Sequence, residues 1–576
     1  MRLPVLLLSL AMIATTSGCS GDSAGPAEPQ PAASGPAPAA PASARRHDES
    51  SYAEPHKVRI TDLALDLKLD FDARQLSGTA TYTLEWIDPQ ATELLLDTRD
   101  LAIEKVEGEA DGAWSPLEFA LADADPVFGS RLAIQAPQRN ARIRVTYATS
   151  PQASGLQWLE PSMTEGGKLP FMFSQSQAIH ARSWVPLQDT PGVRFTYSAH
   201  VTTRPDVMVL MSADNDPDAE RDGDYTFSMP QPIPSYLLAI AAGDLVFKPI
   251  SPRSGVWAEP TMVDRAVAEF EDTEKMIATT EALYGPYRWE RYDMLVLPPS
   301  FPFGGMENPR LSFITPTVIV GDKSLVSLIA HELAHSWSGN LVTSASWKDI
   351  WLNEGFTTYV QGRIVEALYG HELAEMERQI DQAGVKADMA RMAEHDQLLV
   401  LPPLGTRDPD EALSEVAYTK GAWFLQFLEQ RFGREVFDPF LRAWFDDHAF
   451  QSADSDQFVA YLRANLLAKN PNAVTEEELD AWLNRPGIPV VAPPARSRTF
   501  ANVDTARIAW GGSGQLPNPQ VTHEWGTQAW VHFIEGLGEK ARPEQLAQLD
   551  AAYHFTGTAN GEIAMRWYPL AIRSGY

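Results

Sequence analysis

The sequence predicts a multidomain α+β protein: a β-rich N-terminal domain, a central helical region and a further helical domain, incomplete as it stands. Three observations carry this. From about residue 55 to 245, apolar and polar residues alternate, as in Ala64-Leu65-Asp66-Leu67-Lys68-Leu69 and Ala80-Thr81-Tyr82-Thr83-Leu84, the two-residue period of half-buried strands. From 246 to 485 long helical patterns dominate. Pro486, Pro489, Pro493 and Pro494 then mark a linker over 486–500, and 501–576 reads as the opening of another helical domain.

Ahead of the first domain, Met1-Arg2-Leu3-Pro4, an apolar stretch to Ile13 and small residues up to Cys19 predict a signal peptide over 1–18, too short to remain as a membrane span. Ser17-Gly18-Cys19 resembles a bacterial lipoprotein cleavage box, although Thr16 stands where that pattern prefers leucine. The resemblance implies a lipid on Cys19 and an anchor on the periplasmic side of a bacterial membrane, foremost the outer one; without the lipid the expectation is periplasmic. Residues 19–54, rich in Pro, Ala, Ser and Gly between Gly21 and Arg46, are expected to be a tether. Cys19 is the only cysteine, so the folded part holds no internal disulfide and rests on ordinary apolar cores. A formal charge of −30 argues against nucleic acid as a partner and favours cationic ones.

The chemistry is concentrated in His331-Glu332-Leu333-Ala334-His335, followed after eighteen residues by Glu354. On a helix, the two histidines stack on one face and grip one metal ion, with Glu332 beside them as general base. Glu354, on a second helix beginning Trp351-Leu352-Asn353, supplies a third, anionic ligand. Three protein ligands leave one position open, which marks a catalytic zinc site and not a structural one. Leu325, Leu328, Ile329 and Trp337 suit a buried helix, and Gly339-Asn340 ends it. A near copy, His371-Glu372-Leu373-Ala374-Glu375, lacks the second histidine and reads as a solvated helix start; His523-Glu524 has no second histidine either.

His-Glu-Leu-Ala-His with Trp351-Leu352-Asn353-Glu354-Gly355-Phe356 resembles the gluzincin metallopeptidases, and Gly304-Gly305-Met306-Glu307-Asn308 resembles the exopeptidase signature of M1 aminopeptidases. Val296-Leu297-Pro298-Pro299-Ser300-Phe301-Pro302-Phe303 and Phe173-Ser174-Gln175-Ser176-Gln177-Ala178-Ile179-His180 are similar to the leukotriene A4 hydrolase branch of that family. The likeness runs from about residue 55 onward and is densest between 170 and 430. It implies a twisted β saddle, a thermolysin-like catalytic domain, one Zn2+ per chain, and removal of N-terminal residues from short peptides. It further implies that Tyr418 donates to the oxyanion, that Glu307 anchors the substrate's free amine with Gln177 and nearby Gln175, and that Gly304, Gly305 and Met306 bring backbone against the substrate. Asp410 matches a polar-tunnel aspartate of the epoxide hydrolase relatives. His180 reads as structural, and Gln361, two turns beyond Glu354, as a residue that orients a ligand.

Two departures qualify the resemblance. Leu413 replaces a tyrosine that lines the lipid epoxide's site, and the basic Arg-x-Lys cluster that relatives use for the substrate's carboxylate is missing, which leaves the last domain partial on this reading. Three functions therefore compete. A zinc aminopeptidase acting as a monomer comes first, a zinc-dependent lipid-epoxide hydrolase second. A non-catalytic peptide-binding scaffold is third, and the presence of Glu332, the three ligands and Tyr418 speaks against it.

Overall fold

The computed structural model describes residues 48–576. The signal peptide, Cys19 and most of the tether lie outside the described residues. One boundary is corrected. Residues 48–54, assigned to the tether by composition, are part of the β domain: Ser50, Ser51 and Ala53 are buried. Ser51 Oγ donates to Asp97 Oδ2 (2.6 Å), Tyr52 N to Asp97 Oδ1 (2.7 Å), and the wholly buried Arg182 donates through Nη2 to the Ser50 carbonyl (2.8 Å). Short polar residues make a segment look like a linker, but here each finds a buried partner that the sequence places elsewhere.

The N-terminal unit is built on a seven-stranded sheet. Its central hairpin pairs Val58–Asp70 with Gln75–Trp86, and Val58–Asp70 runs parallel to Arg194–Thr202 on its other side. In the first strand Val58 and Ile60 are buried, then Leu63, Leu65, Leu67 and Leu69. The inward phase slips by one residue, and the pairing register shifts between Ile60 and Asp62. A bulge absorbs the extra residue and keeps both apolar sets on the core face. A four-stranded sheet carries Phe171–Ser174, wholly buried, whose C-terminal end delivers Gln175 and Gln177.

The central unit opens with a five-stranded sheet that helical patterning did not anticipate. Tyr292–Val296 and Leu311–Ile314 are buried on both faces, so they read as short apolar runs without alternation. Gly305–Met306 forms the edge strand, antiparallel to Leu311–Ile314. The metal-motif helix Ser327–Ala334 packs on the edge strand and on the long helix Trp351–Tyr369, which in turn carries the helix His371–Met389, a π-helical turn Val416–Lys420 and the helix Gly421–Phe432. One apolar core runs without a break from Val58 to Leu483, through both units; a second is confined to 503–571, among the helices Arg498–Ser513, Thr527–Glu535, Pro543–Tyr553 and Gly561–Ser574. The β domain and the catalytic unit therefore fold onto each other, while the C-terminal helices pack mainly on themselves. Among the described residues no helix is long and apolar enough to cross a membrane.

Candidate active site

The metal-motif helix ends at His335, and the chain turns sharply at Gly339, whose φ is +99°. A β-carbon there would stand 2.7 Å from His335 Nδ1, so both conformation and space call for glycine. Arg194, reaching from the β sheet, donates to the Asn340 carbonyl (2.6 Å) and holds this turn.

His331, His335 and Glu354 converge. His331 Nε2 lies 3.2 Å from His335 Nε2 and 3.6 Å from Glu354 Oε2; His335 Nε2 lies 3.4 Å from the same oxygen. A tetrahedral ion with ligands at roughly 2.0–2.1 Å needs ligand atoms about 3.3–3.4 Å apart, and the three separations, 3.2, 3.4 and 3.6 Å, bracket that value. Glu354 is 2% exposed, and Oε2 has no hydrogen-bond partner. Burial opposes its charge, but the His335 and His331 rings hold the carboxyl well below the usual carboxylate range. A buried anion with an unpaired oxygen between two imidazoles fits a divalent cation.

Each imidazole is oriented from behind. His331 Nδ1 meets Gln361 Oε1 (2.9 Å), and His335 Nδ1 meets the Ser338 carbonyl (3.0 Å) with Thr357 Oγ1 alongside (3.1 Å). A carbonyl only accepts, so Nδ1 of His335 carries the hydrogen and Nε2 keeps its lone pair for the metal. The neighbouring trio Glu307, Glu332 and His335 is thereby excluded as a second metal site, since the His335 nitrogen nearest Glu307 is this Nδ1. Thr357 and Ser338 escaped the sequence reading. The signal for Thr357 was its position three residues after Glu354, on the same helical face.

Glu332 is 4% exposed and lies over the edge strand: a β-carbon on Gly305 would come within 2.3 Å of its Oε1. Burial raises its carboxyl to about 7, against the pull of His331 and His335, which places it where a proton can be taken and returned. The Tyr418 ring stacks against His331 with centroids 6.0 Å apart. Burial keeps its phenol well above the usual range, so it stays a donor.

Glu307 follows the edge strand, and Asn340 Nδ2 donates to its carbonyl (2.8 Å). Its side chain is buried and Oε1 is unpaired; so are Gln175 Oε1 and Gln177 Nε2. Gln175 Nε2 contacts Met306 Sδ (3.2 Å). Gly304 is exposed beside Leu328, on the approach to Glu332. Asp410 does not join this group by its own oxygens, which bond to Ala178 N and His180 Nε2.

The arrangement has known counterparts. Residues 268–482 match the peptidase family M1 domain, 50–237 the M1 N-terminal domain and 525–576 the C-terminal domain of leukotriene A4 hydrolase. A leukotriene A-4 hydrolase of Xenopus laevis is 36% identical over 556 residues, covering 92% of this chain and 89% of that protein. The chain belongs to the M1 peptidase family. Leucine aminopeptidase 2 of Yarrowia lipolytica is also 36% identical, over 91% of this chain and 84% of its own length. The solved leukotriene A4 hydrolase of Saccharomyces cerevisiae superposes with a TM-score of 0.84 at 33% identity, covering 92% of this chain and 88% of that one. An M1 zinc metallopeptidase of Deinococcus radiodurans, 21% identical with a TM-score of 0.60 over 78% of this chain, shares the fold. The chain is thus a hydrolase of the M1 metallopeptidase type, with a β domain, an M1 catalytic domain and a helical C-terminal domain, and its family uses zinc.

Proposed function

We propose that this protein is a zinc aminopeptidase that removes the N-terminal residue from short peptides. The observation that carries the reading is the Glu307 carboxylate, 3% exposed with an unpaired Oε1; Gln175, which touches the preceding Met306, adds an unpaired acceptor in its own Oε1. A buried anion of this kind is costly unless a cation meets it. The free ammonium of a peptide supplies one, and anchoring it there sets the first peptide bond over Glu332.

His331, His335 and Glu354 would hold the zinc, which when bound supplies an acidified water and polarises the scissile carbonyl. Glu332 takes a proton from the attacking water at its carboxylate and delivers it to the leaving nitrogen. Tyr418, kept protonated, donates to the carbonyl oxygen as its charge grows. Gly305, having no side chain, lets the Glu332 carboxylate lie directly over the edge strand, facing the substrate's first peptide bond. With Glu332 and Glu307 ionised, the pocket remains attractive to cations even with the metal in place.

Release of arylamine from aminoacyl-arylamides, abolished by a chelator and absent for N-acetylated substrates, is the expected result; no chelator-sensitive release would reject the reading. The relatives named leukotriene A-4 hydrolase favour a second reading, hydrolysis of a lipid epoxide at the same zinc. Leu413, standing where the epoxide hydrolase relatives carry a tyrosine, weighs against it. A parallel assay with a lipid epoxide separates the two.

On its signal-like N-terminus we further propose that the protein is exported and anchored through a lipid on Cys19. Cys19→Ala should move it from the membrane to the soluble fraction; unchanged partitioning would count against the anchor.

A further inference from the structure

The amine end of the pocket is assembled from two domains. Gln175 and Gln177 come from the loop after the strand Phe171–Ser174, whereas Asp410 sits on the short 3-10 helix Pro409–Ala412 of the catalytic unit. Asp410 Oδ1 accepts from the backbone N–H of Ala178 (3.0 Å), directly after Gln177, and Oδ2 accepts from His180 Nε2 (2.8 Å). Both oxygens thus grip one short stretch of the opposite domain.

His180 is itself set up for this. Its Nδ1 lies 2.9 Å from Arg99 Nη1 and 2.8 Å from Ser154 Oγ. A guanidinium only donates, so Nδ1 is the acceptor and Nε2 carries the hydrogen. That tautomer is the one that serves Asp410. On the catalytic side, Asp408 Oδ1 accepts from the Asp410 N–H (3.1 Å) and sets the carboxylate's direction. Ser176 is tied to its own domain, Oγ donating to the Leu238 carbonyl (2.8 Å), but the backbone next to Gln177 is tied by Asp410.

We propose that Asp410 and His180 are positioning residues: a clasp across the domain boundary that aims the Gln177 amide so that its oxygen accepts from the substrate's ammonium. The proposal rests on the aminopeptidase reading and deepens it, because amine recognition then depends on how the β domain seats on the catalytic unit. Neither residue needs to touch the substrate.

The test measures KM and kcat on an aminoacyl-arylamide for His180→Ala, Asp410→Asn, Gln177→Ala and the double variants with Gln177→Ala. It also measures the affinity of each for an amino-acid hydroxamate and its N-acetyl counterpart. His180→Ala and Asp410→Asn should raise KM about tenfold with kcat little changed, the signature of lost ground-state binding. Their effect should vanish on a Gln177→Ala background. His180→Gln, whose amide can donate to Asp410 and accept from Arg99, should recover most of the loss. A KM within about twofold of wild type for His180→Ala, or effects that add in full to Gln177→Ala, overturns the clasp. If wild type prefers the free-amine hydroxamate and the clasp variants keep that preference, the clasp alone fails. If wild type shows no such preference, the aminopeptidase reading fails and the clasp with it.

Discussion

Gly355 and Gly421 meet so closely that a β-carbon on either would stand 2.7 Å from the other's α-carbon. The first follows Glu354 on the long helix; the second begins the helix that continues the π-helical turn bearing Tyr418. This glycine contact sets how near a metal ligand comes to the oxyanion donor. Gly355→Ala should force the helices apart, lowering stability by about 1–3 kcal/mol through overpacking and turnover as well. Thermal melts and steady-state rates on one preparation check both; lower stability with unchanged turnover would make the contact mere scaffolding.

Metal removal should act on folding as well as on rate. Two imidazoles and the unpaired Glu354 oxygen lie buried together, so without a cation their lone pairs lose the partner on which they converge. A chelated sample should melt lower, by an amount matching about 2.7 kcal/mol when metal is present at a hundred times its Kd, and one equivalent of zinc should restore it. Elemental analysis that finds no metal in active protein would contradict the site.

Glu332→Gln keeps the shape above Gly305 and removes the base. Turnover should drop by about 10²–10⁴, while bound zinc and the affinity for a peptide substrate persist. Retained turnover would assign the proton transfer to another group.

Lys420 offers a pH test away from the metal. It is wholly buried, with Nζ donating to the carbonyls of Gln397 and Arg485 (both 2.8 Å), and burial lowers its ammonium to about 7. In the unfolded chain it titrates near ~10.4. Between these values the unfolded state binds the extra proton, so this residue makes stability rise with pH from about 7 towards 10, and its protonated form is a cost below 7. Lys420→Met should flatten that rise. Denaturant midpoints of both proteins from pH 6.5 to 9 read it; parallel curves would place the lysine in a wetter setting than the structure shows.

What could be read in advance follows from how far each contact reaches along the chain. His331, Glu332 and His335 were legible because helix periodicity alone puts i and i+4 on one face. Other features left no such trace. The buried strands Tyr292–Val296 and Leu311–Ile314 lack alternation, and the residues from Asp48 to Glu54 look like linker until Asp97, Arg182 and Thr190 are brought to them.

The amine end shows the same division. The Gly-Gly-Met-Glu-Asn motif pointed to Glu307 by resemblance, but the hold of Asp410 on the Ala178 N–H, next to Gln177, joins two distant segments through domain packing. The sequence by itself determined the metal-binding face, since local helix geometry is nearly independent of context. The folded chain alone shows which buried polar atoms stay unpaired, as at Glu307, and which side chains, like Asp410, bond across the domain boundary. That is settled by desolvation and packing between segments hundreds of residues apart, for which no local period exists.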